Sequence, residues 1–257
     1  MTTYDRQDFC CAAYNEELAL SRLLPDITSV LSPLGILFEI LVVNDGSTDG
    51  TALQVAGFSR SLPVRLLTHE KNQGYGAALA TGFSWVVDHG RKEDIAVSLD
   101  CDRTHPPETI PALLKKIEDE YDIVTASYVL PGGQVTGVPW LRRQSSAVIN
   151  RLFQWVWPMS GVETYTNGFR AYRIALLKRA SRRFGATLIE ENGFPGGVEL
   201  FLKVCSVGGR PAEIPFHLHY ENRGGASKIR FFQTVVRYLR LLRRIRRLRR
   251  LRSPSST

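Results

Sequence analysis

The 257-residue sequence predicts an α/β fold, a mostly parallel sheet flanked by helices. Over the first 130 residues, short apolar runs alternate with amphipathic helical patterns at strand–helix–strand spacing. Several of those runs are apolar throughout, as in strands covered on both faces. Turn clusters rich in Asn, Asp, Gly and Ser follow the runs and open the next helix.

Taken in order, residues 9–13 form a strand, and 16–31 a helix with apolar Leu18, Leu20, Leu23, Leu24, Ile27, Val30 and Leu31. Ser32-Pro33-Leu34-Gly35 ends it. A buried strand over 38–43 runs into Asn44-Asp45-Gly46-Ser47-Thr48-Asp49-Gly50, a turn that caps the following helix. Residues 64–68 are a third strand, 75–89 a helix, 95–99 a fourth strand, 107–120 a helix begun by Pro106-Pro107-Glu108, and 123–128 a fifth strand. Composition fits one such body, since 44% hydrophobic residues suffice for a core at this length.

In parallel sheets ligands bind at the carboxyl ends of the strands. That rule brings Tyr14-Asn15-Glu16-Glu17, Asp45 to Asp49, and Asp100-Cys101-Asp102 to one rim. Asp100 and Asp102 are like charges one residue apart, which raise one another's pKa unless a positive charge sits beside them. A hard divalent cation carrying a phosphate is one solution; solvated loop acids, one of them a helix cap, are the other reading. A nucleobase, a ribose and a metal-bound diphosphate would use all the acids on the rim. No Gly-x-Gly-x-x-Gly follows the first strand and no Walker lysine motif is present, which disfavours a dinucleotide dehydrogenase or a P-loop kinase.

Charge and cysteine usage narrow the setting. The net charge is +8, but ten of the 33 Lys and Arg, and none of the 25 Asp and Glu, follow residue 228, so the body is near neutral. Cys10, Cys11, Cys101 and Cys205 have neither metal-ligand spacing nor a disulfide pattern and read as reduced thiols. No apolar leader opens the sequence and no stretch reaches the roughly 18 residues of a membrane span, so a cytoplasmic protein is expected. Residues 229–252 alternate apolar positions, among them Val235, Val236, Leu239, Leu242 and Ile245, with arginines at helical spacing. Such a helix suits the anionic face of a membrane better than nucleic acid, since it lacks late base-stacking aromatics. Residues 253–257 read as a disordered tail.

Five motifs occur in one order: Ala13-Tyr14-Asn15-Glu16-Glu17, Asn44 to Thr51, Asn72-Gln73-Gly74-Tyr75-Gly76-Ala77-Ala78, Asp100-Cys101-Asp102 with His105-Pro106-Pro107-Glu108, and Thr166-Asn167-Gly168-Phe169-Arg170. Together they resemble a family 2 glycosyltransferase of the dolichol-phosphate mannose synthase type, over about residues 8–228. The resemblance implies a GT-A fold over 1–228, inversion at the anomeric carbon, a GDP- or UDP-hexose donor (mannose or glucose), a divalent Mg2+ or Mn2+, and a polyprenyl phosphate acceptor. It places Ala13, Tyr14, Asn15, Glu16, Asp45, Asn72, Gly74, Asp100 and Lys228 on the donor, and the metal on Asp100 and Asp102. Asn15 can equally be the cap of the first helix. Arg142, Ser146 and Asn150 are spaced i, i+4, i+8 after Trp140; Arg142, Ser146, Arg170, Arg223 and Ser227 are implied at the acceptor. Asp102, Arg142 and Glu199 are the candidates for the chemistry, Glu199 as a base or as an anchor of the acceptor loop.

The sequence departs from that pattern at Thr104, where the family has a Gln beside the metal, and at Ser127, where it has an Arg near the acceptor phosphate. Losing that arginine weakens acceptor binding by about 1.5–3 kcal/mol unless Arg142, Arg143 or Arg223 compensates. A hydroxyl acceptor and a degenerate, regulatory nucleotide-sugar binder are therefore the alternatives. Both would keep the fold. Retention of Asp100 and Asp102 opposes the second.

Overall fold

The computed structural model describes residues 6–223 and 231–249, with side chains described over 6–223 and 233–246. Its first half follows the predicted order: β1 (Arg6–Ala13), α1 (Glu17–Leu31), β2 (Leu37–Asn44), α2 (Thr51–Phe58), β3 (Val64–Thr68), α3 (Tyr75–His89), β4 (Ile95–Asp100), α4 (Ile110–Glu118) and β5 (Ile123–Ser127). The helix expected from residue 107 opens as a 3-10 turn over Pro107–Thr109 before α4 begins, consistent with a proline-rich start that offers few N–H donors. The second half adds β6 (Gln134–Thr136), α5 (Trp140–Val156), β7 (Arg170–Arg173), α6 (Ile174–Phe184), α7 (Gly196–Ser206), β8 (Pro211–Pro215), β9 (His217–His219) and α8 (Phe231–Arg249).

Among the described residues, seven strands form one sheet in the order β3-β2-β1-β4-β7-β5-β8, and β6 pairs with β9 apart from it. All pairings in the large sheet are parallel except those of β7, which lies antiparallel between β4 and β5. Strand alternation divides the core in two. Phe9, Cys11, Ile40, Val42, Ile95, Val97 and Leu99 face α1 and α4 on one side; Cys10, Leu41, Val43 and Ala96 face α3, α5, α6 and α7 on the other. Two-sided burial explains why these strands read as apolar runs.

Register then fixes the rim. Ala12 pairs with Asp100 and Ala13 with Asn44, so the loops leaving β1, β2 and β4 emerge side by side. The helix expected within residues 229–252 is present as α8. Leu241, Leu242 and Ile245 of α8 are buried in the second core, and Tyr238 meets the Phe153 ring of α5 edge-on at 6.1 Å. Part of the expected stripe, Leu242 and Ile245, therefore packs on the protein's own α5 and α7, while Val236 and Leu239 stay exposed. Residues 253–257 lie outside the described residues, as do Ser227 and Lys228.

Candidate active site

A cavity of about 760 Å³ opens at the carboxyl ends of the strands. Ala13, Tyr14, Glu16, Asp45, Asn72, Gly74, Asp100 and Asp102 line one half; Arg142, Ser146, Arg170 and Arg223 line the other. Asn15 and Glu199, both expected at the site, do not line it.

The first half is a set of loops bonded to one another. The carbonyl of Ala13 accepts from Asp45 N at 2.8 Å. Asn15, at φ +52°, donates its N–H to Ser47 Oγ at 2.9 Å and accepts from Thr48 N at 2.8 Å through Oδ1. The helix cap is Glu16 rather than Asn15; its N–H donates to Thr51 Oγ1 at 2.9 Å. Asn15 thus joins two loops, and a polar turn residue tolerates its left-handed backbone. Asp45 is buried, accepting from Gln73 N at 2.9 Å, Gly74 N at 2.8 Å and facing His69 Nδ1 at 2.7 Å. Its carboxylate holds the 72–74 loop in place. Gly74, at φ +103°, and Gly76 allow that loop and the start of α3 to touch the backbone of residues 191–192, where any Cβ would collide. Gly76 N donates to Asn192 O at 2.8 Å.

Asp100 ends β4 with its backbone N–H donated to His105 Nδ1 at 3.0 Å. That bond leaves the ring proton on Nε2, which faces Asp100 Oδ2 at 3.9 Å. Tyr75 donates its hydroxyl to Asp100 Oδ1 at 3.1 Å. Burial pushes the Asp100 carboxyl up from its ordinary range and Asp102 adds to that, while His105, Tyr75 and Arg223 oppose it. Burial, with Asp100 beside it, also pushes the Tyr75 phenol well up, so it remains a donor. Asp102 Oδ1 accepts from Thr104 N at 3.2 Å and Thr104 Oγ1 at 2.7 Å; its Oδ2 meets Arg223 Nη1 at 3.5 Å. Thr104 therefore orients Asp102 from beneath.

The other half is held by long side chains. Arg142 Nη1 donates to Tyr220 OH at 2.7 Å and its guanidinium lies 5.1 Å from that ring's centre. Ser146 Oγ is 3.1 Å from Tyr128 OH and 3.2 Å from Thr166 Oγ1. Asn150, the third residue of the stripe, is buried and accepts from Tyr165 N and Thr166 N at 2.9 and 3.1 Å. Arg170 is turned inward, 1% exposed, with its guanidinium on Thr125 Oγ1 at 3.0 Å, Gly197 O at 3.2 Å and Tyr165 O at 2.5 Å. It lines the cavity with a guanidinium already bonded to the protein's own oxygens. Ser127 is likewise buried, 2.6 Å from Thr164 Oγ1, and offers no hydroxyl to the cavity.

Glu199 is corrected. Fully buried in α7, its Oε2 accepts from Glu190 N and Glu191 N at 2.9 and 2.8 Å, and its Oε1 meets Lys203 Nζ at 2.6 Å and Arg244 Nη2 at 2.7 Å. So enclosed, it stands away from the cavity lining and holds the backbone of residues 190 and 191. Arg237 of α8 pairs with Glu191 of the same loop. Phe194, at the loop's end, stacks on Tyr75 with ring centres 5.0 Å apart.

Tyr75, His105, Phe194 and Tyr220 are the site residues that sequence reasoning missed. Tyr75 and His105 sat within quoted motifs, and that was the available signal. Phe194 and Tyr220 carried none. Chemically, the cavity joins a rim of carboxylates suited to a cation and hydroxyl groups to an arm of arginines and phenols suited to an anion.

The chain is similar to known proteins in sequence and in fold. The family model described as glycosyl transferase family 2 matches residues 8–180. Polyprenol monophosphomannose synthase of Mycolicibacterium smegmatis is 29% identical over 193 residues, 74% of this chain and 70% of that protein. Glucosyl-3-phosphoglycerate synthase from Mycobacterium tuberculosis, solved with Mn2+, uridine diphosphate and glucosyl-3-phosphoglycerate, superposes with a TM-score of 0.65 at 18% identity, covering 99% of this chain and 82% of that one. The same enzyme solved with Mn2+ and UDP-glucose gives a TM-score of 0.64 at 19% identity, covering 95% and 79%. These likenesses show the GT-A fold, and the family match extends over more than half of the chain. The protein belongs to glycosyl transferase family 2 and is a glycosyltransferase.

Proposed function

We propose that this enzyme moves a hexose, mannose or glucose, from a GDP- or UDP-sugar to a polyprenyl phosphate at an anionic membrane surface, with inversion at the anomeric carbon. The observation that carries the reading is the distribution of charge in the cavity. Its lining carboxylates, Glu16, Asp45, Asp100 and Asp102, all lie on the donor half, whereas the described residues of the other half bring Arg142, Arg143, Arg223 and Arg237 and no acid. An acceptor hydroxyl would need a base there; an acceptor phosphate needs none and is attracted by the arginines. The likeness to a polyprenol monophosphomannose synthase supports the same acceptor.

In the displacement, a phosphate oxygen of the acceptor forms a bond to C1 of the sugar as the bond from C1 to the nucleoside diphosphate breaks. No proton has to move. Tyr14, Glu16 and Asn72, which line the cavity, would hold the base and ribose, and the Asp45-braced 72–74 loop would bring Gly74 to the phosphates. Arg142 and Ser146 would hold the acceptor phosphate, with Arg223 between the two phosphate groups; Ser227 and Lys228 belong to the same closing segment.

A divalent Mg2+ or Mn2+ fits the residues present. Asp100 and Asp102 are hard oxygen donors whose charges lie close together, and Arg223 already answers Asp102. No group of three or more ligating side chains occurs among the described residues, which suits an ion sharing its shell with diphosphate and water. Mn2+ accompanies the nucleotide in the structural relatives. When bound between Asp100 and Asp102, such an ion would neutralise the departing diphosphate.

The test is incubation with a panel of labelled nucleotide sugars, polyprenyl phosphate and Mn2+, followed by lipid extraction. Labelled lipid with one donor is expected. No labelled lipid with any donor, together with transfer to a hydroxyl acceptor, would overturn the reading.

A further inference from the structure

On α5, Leu141, Val148 and Trp155 are 61, 54 and 72% exposed. Their spacing of i, i+7 and i+14 makes them one stripe down the length of the helix. The stripe stands about a third of a turn away from Arg142 and Ser146, which face the cavity. Beside it, α8 turns its exposed Val236 and Leu239 outward while Leu241, Leu242 and Ile245 are buried. The two helices are bound together at the end of the stripe, where the Arg246 guanidinium lies 5.3 Å from the Trp155 ring centre.

Charge complements this apolar row. Neither α5 nor α8 contains an Asp or Glu, and Arg143, Arg151, Arg240, Arg243 and Arg246 are all exposed. A row of large apolar side chains set among cations, with an indole whose face is covered by a guanidinium, is the chemistry of a surface that enters the headgroup layer of an anionic bilayer.

We propose that the outer stripe of α5, flanked by the outward arginines of α8, is the face by which this protein docks on anionic lipid. The inference rests on the membrane reading above and gives that reading a surface, to which α8 adds Val236 and Leu239 while its Leu242 and Ile245 are buried. Docking by α5 would also bring the bilayer to the helix that carries Arg142 and Ser146. A lipid phosphate would then reach the cavity along a helix already seated on its membrane.

The test uses the full chain. Sedimentation with vesicles of phosphatidylserine and phosphatidylcholine is compared for the wild type, the triple variant Leu141→Ser, Val148→Ser, Trp155→Ser, and the double variant Arg240→Gln, Arg243→Gln. All substituted residues are exposed, and melting curves verify the fold. We expect the triple variant to lose about tenfold or more in vesicle affinity. The double variant should lose less and should also lose the preference for phosphatidylserine over phosphatidylcholine alone. Transfer to a short-chain, water-soluble acceptor phosphate should remain at the wild-type rate in both. Wild-type protein that ignores the vesicles would overturn the membrane reading and this inference together. Wild-type binding matched by the triple variant would overturn this inference alone. So would a wild-type dimer in light scattering that the triple variant abolishes, since the stripe would then cover a second copy.

Discussion

The two halves of the cavity are built by different means. On the donor half, short side chains bond to backbone groups of the next loop: Asn15 to Thr48, Glu16 N to Thr51, and Asp45 to Gln73 and Gly74. On the acceptor half, long side chains reach in from helices: Arg142 of α5 to Tyr220, and Arg237 of α8 to Glu191. A backbone-bonded half is preorganised by the sheet itself. A half held by charged pairs depends on helices that are separate in sequence, and can shift with them.

The largest effect should come from the junction of the halves. Asp102→Asn is expected to lower the transfer rate about a hundredfold or more while leaving the melting temperature near that of the wild type, as read by labelled-sugar transfer and thermal unfolding. Next, Glu199→Gln removes the fully buried carboxylate that pairs with Lys203 and Arg244, leaving Lys203 only the partly exposed Glu190. Denaturant unfolding should show a loss of about 3–5 kcal/mol, the cost of breaking a buried pair. The remaining folded enzyme should keep the pH–rate profile of the wild type; loss of a limb from that profile would restore Glu199 as a base.

Smaller again, Asp45→Asn weakens the charge-assisted bonds to Gln73 and Gly74 by about 1.5–3 kcal/mol. It should raise the KM for the donor with little change in that for the acceptor, which initial-rate kinetics would separate. The smallest effect concerns pH. The Lys203 hydrogen bond, with the Lys203 and Arg244 charges, holds the Glu190 carboxyl below its ordinary range against the opposing effect of partial burial. A lowered folded value means that its stabilisation is present above the unfolded carboxyl range and is lost as pH falls through the folded value. The Glu190 side chain is 39% exposed, so solvent screening keeps the effect slight. Amide exchange of residues 190–194 should quicken in acid before that of residues 72–74 does.

The same contrast governs what the sequence discloses. Strands β1 to β5 are legible because each is an apolar run closed by turn residues, and their ends differ from expectation by at most a few positions. β7 is illegible: it is Arg-Ala-Tyr-Arg, and nothing local says that the Arg170 guanidinium will be enclosed by carbonyls supplied from Tyr165 and Gly197. The motif around Arg170 locates the residue but not the direction of its side chain. For α8, helical spacing correctly gives a helix with an apolar face, yet periodicity is blind to whether lipid or α5 and α7 will cover that face. Conversely, Leu141, Val148 and Trp155 look like ordinary core positions until the structure leaves them outside.

The antiparallel strand β7 has a consequence for the order in which the protein can be assembled. β5 touches the rest of the large sheet only through β7 on one side and β8 on the other, and β4 has β7 as its outer neighbour. A chain emerging from the ribosome as far as β5 therefore holds a completed parallel block, β3-β2-β1-β4, with an open edge, and a strand that has no seat. The block must wait for residues 170–173, and β5 is recruited only after a strand synthesised much later has docked. Pulse-labelled hydrogen exchange during refolding should accordingly show protection of β1 and β2 before β5. Protection of β5 first would contradict this sequence of events, in which the parallel block forms before the strands beyond it.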